Sequence, residues 1–270
     1  MKPPYAVTAV RYGSVVLQKR ELFHRFEHYA EPDEPYEMAY FVWLIEGDDG
    51  DVTVVDTGFR PDVGRRRGRS VAAAPDAALR ALDVDPDAVE SVVLTHMHFD
   101  HTGNVAAFPR ATIVVPRTEL DFWTSAAGGR AQFAAHVEPD EIGRLAERRG
   151  RGGLVEVGDR HRLAPGIELV QVGGHSPGQQ IVVVEDARGS VVLASDSVHF
   201  YEELALDRPF AIFSSLAEVY AAYDLVSGLE EAGAVVVPGH DPRVSERFAA
   251  RLDENGVIAV DVRSAAQRPS

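Results

Sequence analysis

Apolar positions recur along this chain at two periods, about two residues in most segments and about three and a half in a few. Early stretches, AVTAVRYGSVVL, MAYFVWLIE and DVTVVDTG, are rich in Val, Thr and aromatics and bounded by Gly, Asp and Pro, which predicts strands. Between the first two, FHRFEHYAEPDEPYE is polar and proline-broken and predicts a surface loop. Residues 70–82 predict a helix, ESVVLTH a strand, and TIVVPR a further short strand. A helical stretch over 118–149 is interrupted at AAGGR and at Pro139, with Ile142, Leu145 and Ala146 at helical spacing. Strands resume in LVEVGD, IELVQVGG, QQIVVVED and SVVLASDS. Over 214–230, Leu216, Val219, Tyr220, Tyr223, Val226 and Leu229 keep to one stripe, the pattern of a helix that buries one face in a core. AVVVPGH predicts a strand, 244–252 a helix, and VIAVDV a last strand. Two batches of strands, with helices between and after them, predict an α/β (α+β) fold of sheet packed on sheet with helices outside. No linker or repeat divides the chain, so residues 1–270 are expected to form a single domain.

Composition narrows the partners. Lys and Arg number 27 against 42 Asp and Glu, and a formal charge of −15 repels nucleic acid and anionic membrane surfaces. There is no cysteine, which removes disulfides and thiolate ligands and leaves imidazole and carboxylate for any metal. MKPPYAVTAVRYGS has no apolar run behind a basic segment, and the apolar run Met38 to Ile45 is too short to cross a bilayer. A cytoplasmic protein with a small-molecule partner is the expectation.

The densest chemistry lies in VVLTHMHFDHTG. His96 and His98, two apart on a strand, share a face; the helical zinc-protease pattern needs histidines four apart. A turn after Phe99 swings Asp100 and His101 to the other side of the cluster. One metal ion cannot use all four groups comfortably, whereas two can. His175 in VGGHSPGQQ, Asp196 in LASDSVH and His240 in VVVPGHD stand at further strand ends, where a rigid scaffold presents loops.

The set HMHFDH, His175, Asp196 and His240, in that order and with VVDTG at residues 54–58, resembles the metallo-β-lactamase superfamily across nearly the whole chain. The resemblance implies an αββα sandwich of two mixed sheets with a dinuclear metal centre at one edge. It assigns His96, His98 and His175 to one ion, Asp100, His101 and His240 to the other, and Asp196 to both. The ions would be zinc by default for such mixed sites, with Mn, Co or Fe as alternatives. Asp100 would also relay a proton from nucleophile to leaving group. Asp56 either orients a ligand imidazole or closes the turn before Gly58.

Within the superfamily, THMHFDHTGN, GHSPGQQ and GHD are similar to segments of the N-acyl homoserine lactonase branch. That branch implies a quorum-quenching hydrolase that opens a lactone ring with a hydroxide held between two ions, often as a homodimer. Class B β-lactamases imply export and often a cysteine ligand, flavodiiron proteins a Glu in place of His98, and glyoxalase II a longer helical C-terminal region. One departure stands out: lactonases of this branch carry a tyrosine three residues after the bridging aspartate, and this chain has His199 there, with Tyr201 nearby. Either His199 donates to the substrate carbonyl or it caps a loop. Hydrolysis of another lactone, ester, cyclic amide or thioester, including pyridoxolactone-like ring opening, is the alternative on the same site; a diiron redox or sensor protein is the alternative of another class. Phe200, Tyr201, Phe210 and Phe213 offer an apolar wall. The basic run GRRRGRS attracts a carboxylate-bearing substrate or is solvated surface. His24, His28, His136 and His161 receive no role.

Overall fold

The strand Pro35–Glu46 is apolar on both faces and divides the core. Met38, Tyr40, Val42 and Leu44 enter one buried cluster, and Ala39, Phe41, Trp43 and Ile45 enter another, as alternation along a strand requires. The computed structural model describes residues 5–186 and 189–265. Its first seven strands are β1 (Ala6–Gln18), β2 (Pro35–Glu46), β3 (Val52–Val55), β4 (Ser70–Val71), β5 (Ser91–Val93), β6 (Thr112–Pro116) and β7 (Leu154–Val157). The next five, β8 (Arg160–Ala164), β9 (Ile167–Gln171), β10 (Gln180–Asp186), β11 (Gly189–Ser195) and β12 (Val235–Pro238), form the second sheet. Then β13 (Phe248–Glu254) and β14 (Val257–Ala265) return to the first.

The first sheet runs β13-β14-β1-β2-β3-β5-β6-β7, with β4 on β1, and the second β12-β11-β10-β9-β8. Both are mixed. Strands β3, β5, β6 and β7 pair in parallel, as do β11 and β12, while the other pairs are antiparallel. Phe41, Trp43, Val55 and Val93 of one sheet meet Leu169, Val182, Leu193 and Val237 of the other in a shared apolar layer. Behind the first sheet lie helices Pro75–Arg80, Arg117–Trp123 and Pro139–Arg151, which contribute Leu79, Leu120 and Leu145. Behind the second lies Leu216–Glu231, whose Val219, Tyr223 and Val226 pack on Ile181, Val192 and Val236. The layers are helix, sheet, sheet, helix, as expected. Among the described residues, no helix is long and apolar enough to cross a membrane.

Two local expectations are corrected and one strand is added. Within 70–82, only Pro75–Arg80 is helical, because Ser70 and Val71 pair with β1 and Pro75 then starts the helix at its first position. The helix expected over 244–252 ends at Arg247; from Phe248 the backbone forms a hairpin with β14, so sheet pairing overrides the helical preference of FAARL. Strand β8, RHRLA, went unpredicted, since its apolar content is low and the signal that makes it a strand is its pairing with β9.

Candidate metal centre

The parallel pairing of β3 with β5 and of β11 with β12 gathers their C-terminal ends, and the chemistry-bearing loops leave from there. Asp56 follows β3, His96 lies beyond β5, Asp196 follows β11 and His240 lies beyond β12, while His175 comes from the β9–β10 connection. Ligand-capable atoms of His96, His98, His175 and Asp196 lie within 4.8 Å of one another, and those of Asp100, His101 and His240 form a second such group. All seven side chains are buried.

The convergence of His96 and His98 does not arise from strand alternation. Strand β5 ends at Val93, both histidines lie in the loop beyond it, and His98 is the N-cap of the helical turn Phe99–Thr102, which carries Asp100 and His101. Two glycines permit the close approaches. Gly174, before His175, holds φ +85°, and a Cβ there would meet the Val219 nitrogen at 2.7 Å; at Gly239 it would meet the Ser195 carbonyl oxygen at 2.6 Å.

Most of the imidazoles are aimed by their outward nitrogen. Nδ1 of His101 lies 2.7 Å from Asp56 Oδ2, that of His175 2.9 Å from the Ile212 carbonyl, and that of His240 2.7 Å from the Ala39 carbonyl. These acceptors place the proton on Nδ1 and turn a lone pair on Nε2 toward the cluster. His96 Nδ1 sits 3.2 Å from Thr95 Oγ1. His98 is reversed, with Nδ1 2.8 Å from His175 Nε2. Burial, reinforced by neighbouring histidines, holds His96, His98 and His175 well below the ordinary imidazole pKa. Asp196 stays ionised: burial opposes its charge, but His240, His101, His199 and His96 outweigh it.

Buried polar atoms rarely go unpartnered, yet Nε2 of His96 has no hydrogen-bond partner and is 3.8 Å from Asp196 Oδ2, while Nε2 of His101 faces Asp196 Oδ1 at 3.1 Å. Neutral imidazole lone pairs and buried carboxylates pointing inward together fit divalent cations, and the all-N/O donor set suits zinc or another first-row metal.

Asp56 has the geometry of the orienting alternative. It is fully buried, its Oδ1 accepts from the Thr95 amide and its Oδ2 from Thr95 Oγ1, both at 2.8 Å, and Oδ2 also faces His101. Its φ of 59° and the 47° of Ser195 are left-handed conformations that non-glycine residues adopt at a cost, and both flank this cluster.

His199 is brought to the cluster, but not as a wall of the cavity. Its Nε2 is 3.2 Å from Asp196 Oδ2, its Nδ1 is 3.3 Å from Glu203 Oε1, and its ring stacks on Phe210 with centroids 3.7 Å apart. Burial opposes its protonation, but Glu203 and Asp196 prevail and push its pKa up to about 9. Both nitrogens therefore face carboxylates rather than a substrate carbonyl. Tyr201 is turned away from the cluster: its hydroxyl donates to the Val236 carbonyl at 3.3 Å, and its ring lies under Arg243 and Arg247. It lines neither of the cavities at the cluster.

One cavity of about 250 Å³, bounded by Tyr40, Arg69, His98, Asp100, Asp196 and Phe210, opens over the cluster. A second of about 310 Å³ shares His98, His136, His175 and Ile212 with it and adds Trp123 and Phe213. Of the four aromatics expected as an apolar wall, Phe210 and Phe213 serve, whereas Phe200 is core. His136, given no role from sequence, lines both cavities. Glu119 was also missed. Wholly buried, it accepts from the Met97 amide at 3.0 Å, Trp123 Nε1 at 2.6 Å, the Gly178 amide at 2.7 Å and Ser176 Oγ, tying the HMH loop to the HSPG loop. A lone Glu in TELDFW gives no sequence signal of that.

A sequence profile described as Metallo-beta-lactamase superfamily matches residues 36–240. An N-acyl homoserine lactonase of Bacillus thuringiensis is 28% identical over 165 residues, 60% of each chain. The N-acyl homoserine lactonase AttM of Azorhizobium caulinodans is 32% identical over 183 residues, covering 62% of this chain and 63% of AttM. The matches thus span less than two thirds of these relatives' lengths. Among solved structures, AidC, a dizinc quorum-quenching lactonase in complex with a product, superposes with a TM-score of 0.73 at 16% identity, over 97% of this chain and 96% of its own.

Proposed function

The chain belongs to the metallo-β-lactamase superfamily, and from that premise we propose that it is a dinuclear metal-dependent hydrolase that opens lactone rings. The observation that carries this reading is the convergence of five imidazoles and two carboxylates in two adjoining ligand groups under a cavity. His96, His98 and His175 would hold one divalent ion and Asp100, His101 and His240 the other, with Asp196 facing both; zinc is the metal we propose. Such ions, when bound, acidify a water and polarise a carbonyl.

The chain's own groups do the rest. Asp100 borders the cavity, and its Oδ2 is 3.8 Å from Nε2 of both His101 and His240. From there it accepts the proton of the attacking water and returns it to the leaving alkoxide oxygen. His199, ion-paired as an imidazolium with Glu203 at 3.3 Å and Asp196 at 3.2 Å, biases the orientation of the Asp196 carboxylate, which makes it a positioning residue. Phe210, Phe213 and Trp123 exclude water from the apolar part of the substrate.

The named activity of the Bacillus and Azorhizobium relatives makes N-acyl homoserine lactones the first substrates to test. Elemental analysis alongside pH-stat assay of N-hexanoyl homoserine lactone, γ-butyrolactone and an aryl ester tests the proposal. Two ions per chain with acid release from a lactone is the expected result. Coloured, iron-loaded protein without acid release would instead favour a diiron redox role.

A further inference from the structure

The cavity over the candidate metal centre holds a positive charge that the hydrolytic chemistry does not use. Arg67 and Arg69 both border it, but they differ in what they hold. Arg67 is engaged on every side: Nε and Nη2 reach the Glu138 carboxylate at 2.9 and 2.8 Å, Nη1 donates to the Ala135 carbonyl at 2.9 Å, and the guanidinium covers the Phe99 ring. Arg66 also pairs with Glu138. Arg69 forms no ion pair among the described residues. Its side-chain partner is the Tyr40 hydroxyl, and its Nε is buried with no acceptor.

A guanidinium presents five donors in a fixed fork that matches a carboxylate. Leaving that fork unmatched beside a cavity has a reason if the ligand supplies the acceptor. At a formal charge of −15 the chain as a whole repels anions, so an anionic substrate needs a local cation of this kind. We propose that Arg69, backed by Tyr40, binds a permanent carboxylate on the substrate, so that the site prefers lactones or esters bearing a second, carboxylate group. The substrate class rests on the hydrolase reading above; the anion site does not.

The test uses γ-carboxy-γ-butyrolactone and its carboxamide, which share one reactive ring and differ in charge. In the metal-loaded protein kcat/KM is expected to favour the acid by about ten-fold or more, and Arg69→Gln to abolish most of that ratio through KM. Arg65→Gln, which removes an exposed charge from the same basic run, should leave the ratio where it was. Calorimetric titration with glutaramate, which has the carboxylate but no ester, reads the site without turnover and should weaken about ten-fold in Arg69→Gln. If neither lactone is hydrolysed while glutaramate binding still depends on Arg69, the hydrolase reading fails and the anion site stands. An acid-to-amide ratio and a glutaramate affinity that ignore Arg69→Gln overturn the anion site, whatever the turnover. Should that variant not fold, Arg69→Lys decides: loss of the fork must lower the ratio several-fold, and an unchanged ratio overturns the proposal.

Discussion

Nδ1 of His98 and Nε2 of His175 face each other across 2.8 Å. His175 donates its Nδ1 proton to Ile212, so its Nε2 brings a lone pair, and burial keeps both rings from protonating. A cation between them relieves the opposition. Stripping metal with a chelator should therefore lower Tm by several degrees, because a ligand at a thousand times its Kd stabilises by about 4 kcal/mol. His98→Ala should retain about one ion per chain and lose nearly all turnover. Scanning fluorimetry with elemental analysis checks both; a Tm indifferent to exhaustive chelation would falsify the metal assignment.

Asp56 performs two tasks that substitutions can separate. Asparagine tolerates a positive φ and keeps an oxygen for Thr95, but lacks the charge that holds His101 Nδ1–H. Asp56→Asn should fold near wild-type stability yet bind metal about 10- to 100-fold more weakly. Asp56→Ala should also lose about 2 kcal/mol or more, since the buried Thr95 donors are left unsatisfied. Metal affinity unaltered in Asp56→Asn would reduce the residue to a turn former.

Much of this was legible because it is encoded locally. Alternation in MAYFVWLIE and the stripe of the Leu216–Glu231 helix state which faces are buried, and ligand-type residues crowded at strand ends state where the chemistry lies. What stayed hidden depends on partners far along the chain. Glu119 gains its meaning from Met97, Ser176 and Gly178, β13 from β14, and Arg69 from the engagement of Arg67 by Glu138. Tyr201 is a case of the same kind: five residues beyond Asp196 in sequence, it is turned away to Val236.

Glu119 should matter to both ligand loops at once. Glu119→Ala strands four donors in a dry site, and each unsatisfied group costs about 1–3 kcal/mol, so expression as a folded protein should collapse. Glu119→Gln keeps one acceptor oxygen but points an amide at donors. It should fold with a lower Tm and hold less than the wild-type content of metal. Equal metal content and Tm would show that the two loops are fixed by other contacts.

His199→Phe preserves the stack on Phe210 and removes both ion pairs, to Asp196 and to Glu203. Metal content should survive, because none of the ligand groups includes His199. With one of the imidazole contacts on Asp196 removed and those of His101, His175 and His240 kept, kcat should fall about 10-fold with little change in KM, the mark of a group acting on the reacting centre rather than on substrate binding. A KM increase at constant kcat would restore the role in substrate contact.

Outside the ligand groups, Glu141 gives the fold a pH signature of its own. Its side chain is 1% exposed beside Arg60. Burial raises its carboxyl from 4.5 to about 7, and Arg60 only partly offsets that, although the pair raises the pKa of the more exposed Arg60. Between those two values the folded chain holds a proton that the unfolded chain has released. Stability from this group is therefore complete below 4.5, declines as pH rises, and is gone above about 7. Glu141→Gln is uncharged throughout and can still accept from Arg60, so it removes that slope. Tm of wild type minus Tm of the variant should be highest at or below pH 4.5 and fall by several degrees toward neutrality. A difference that is flat across the range, or that grows with pH, would mean that the Arg60 pair keeps Glu141 ionised in the fold.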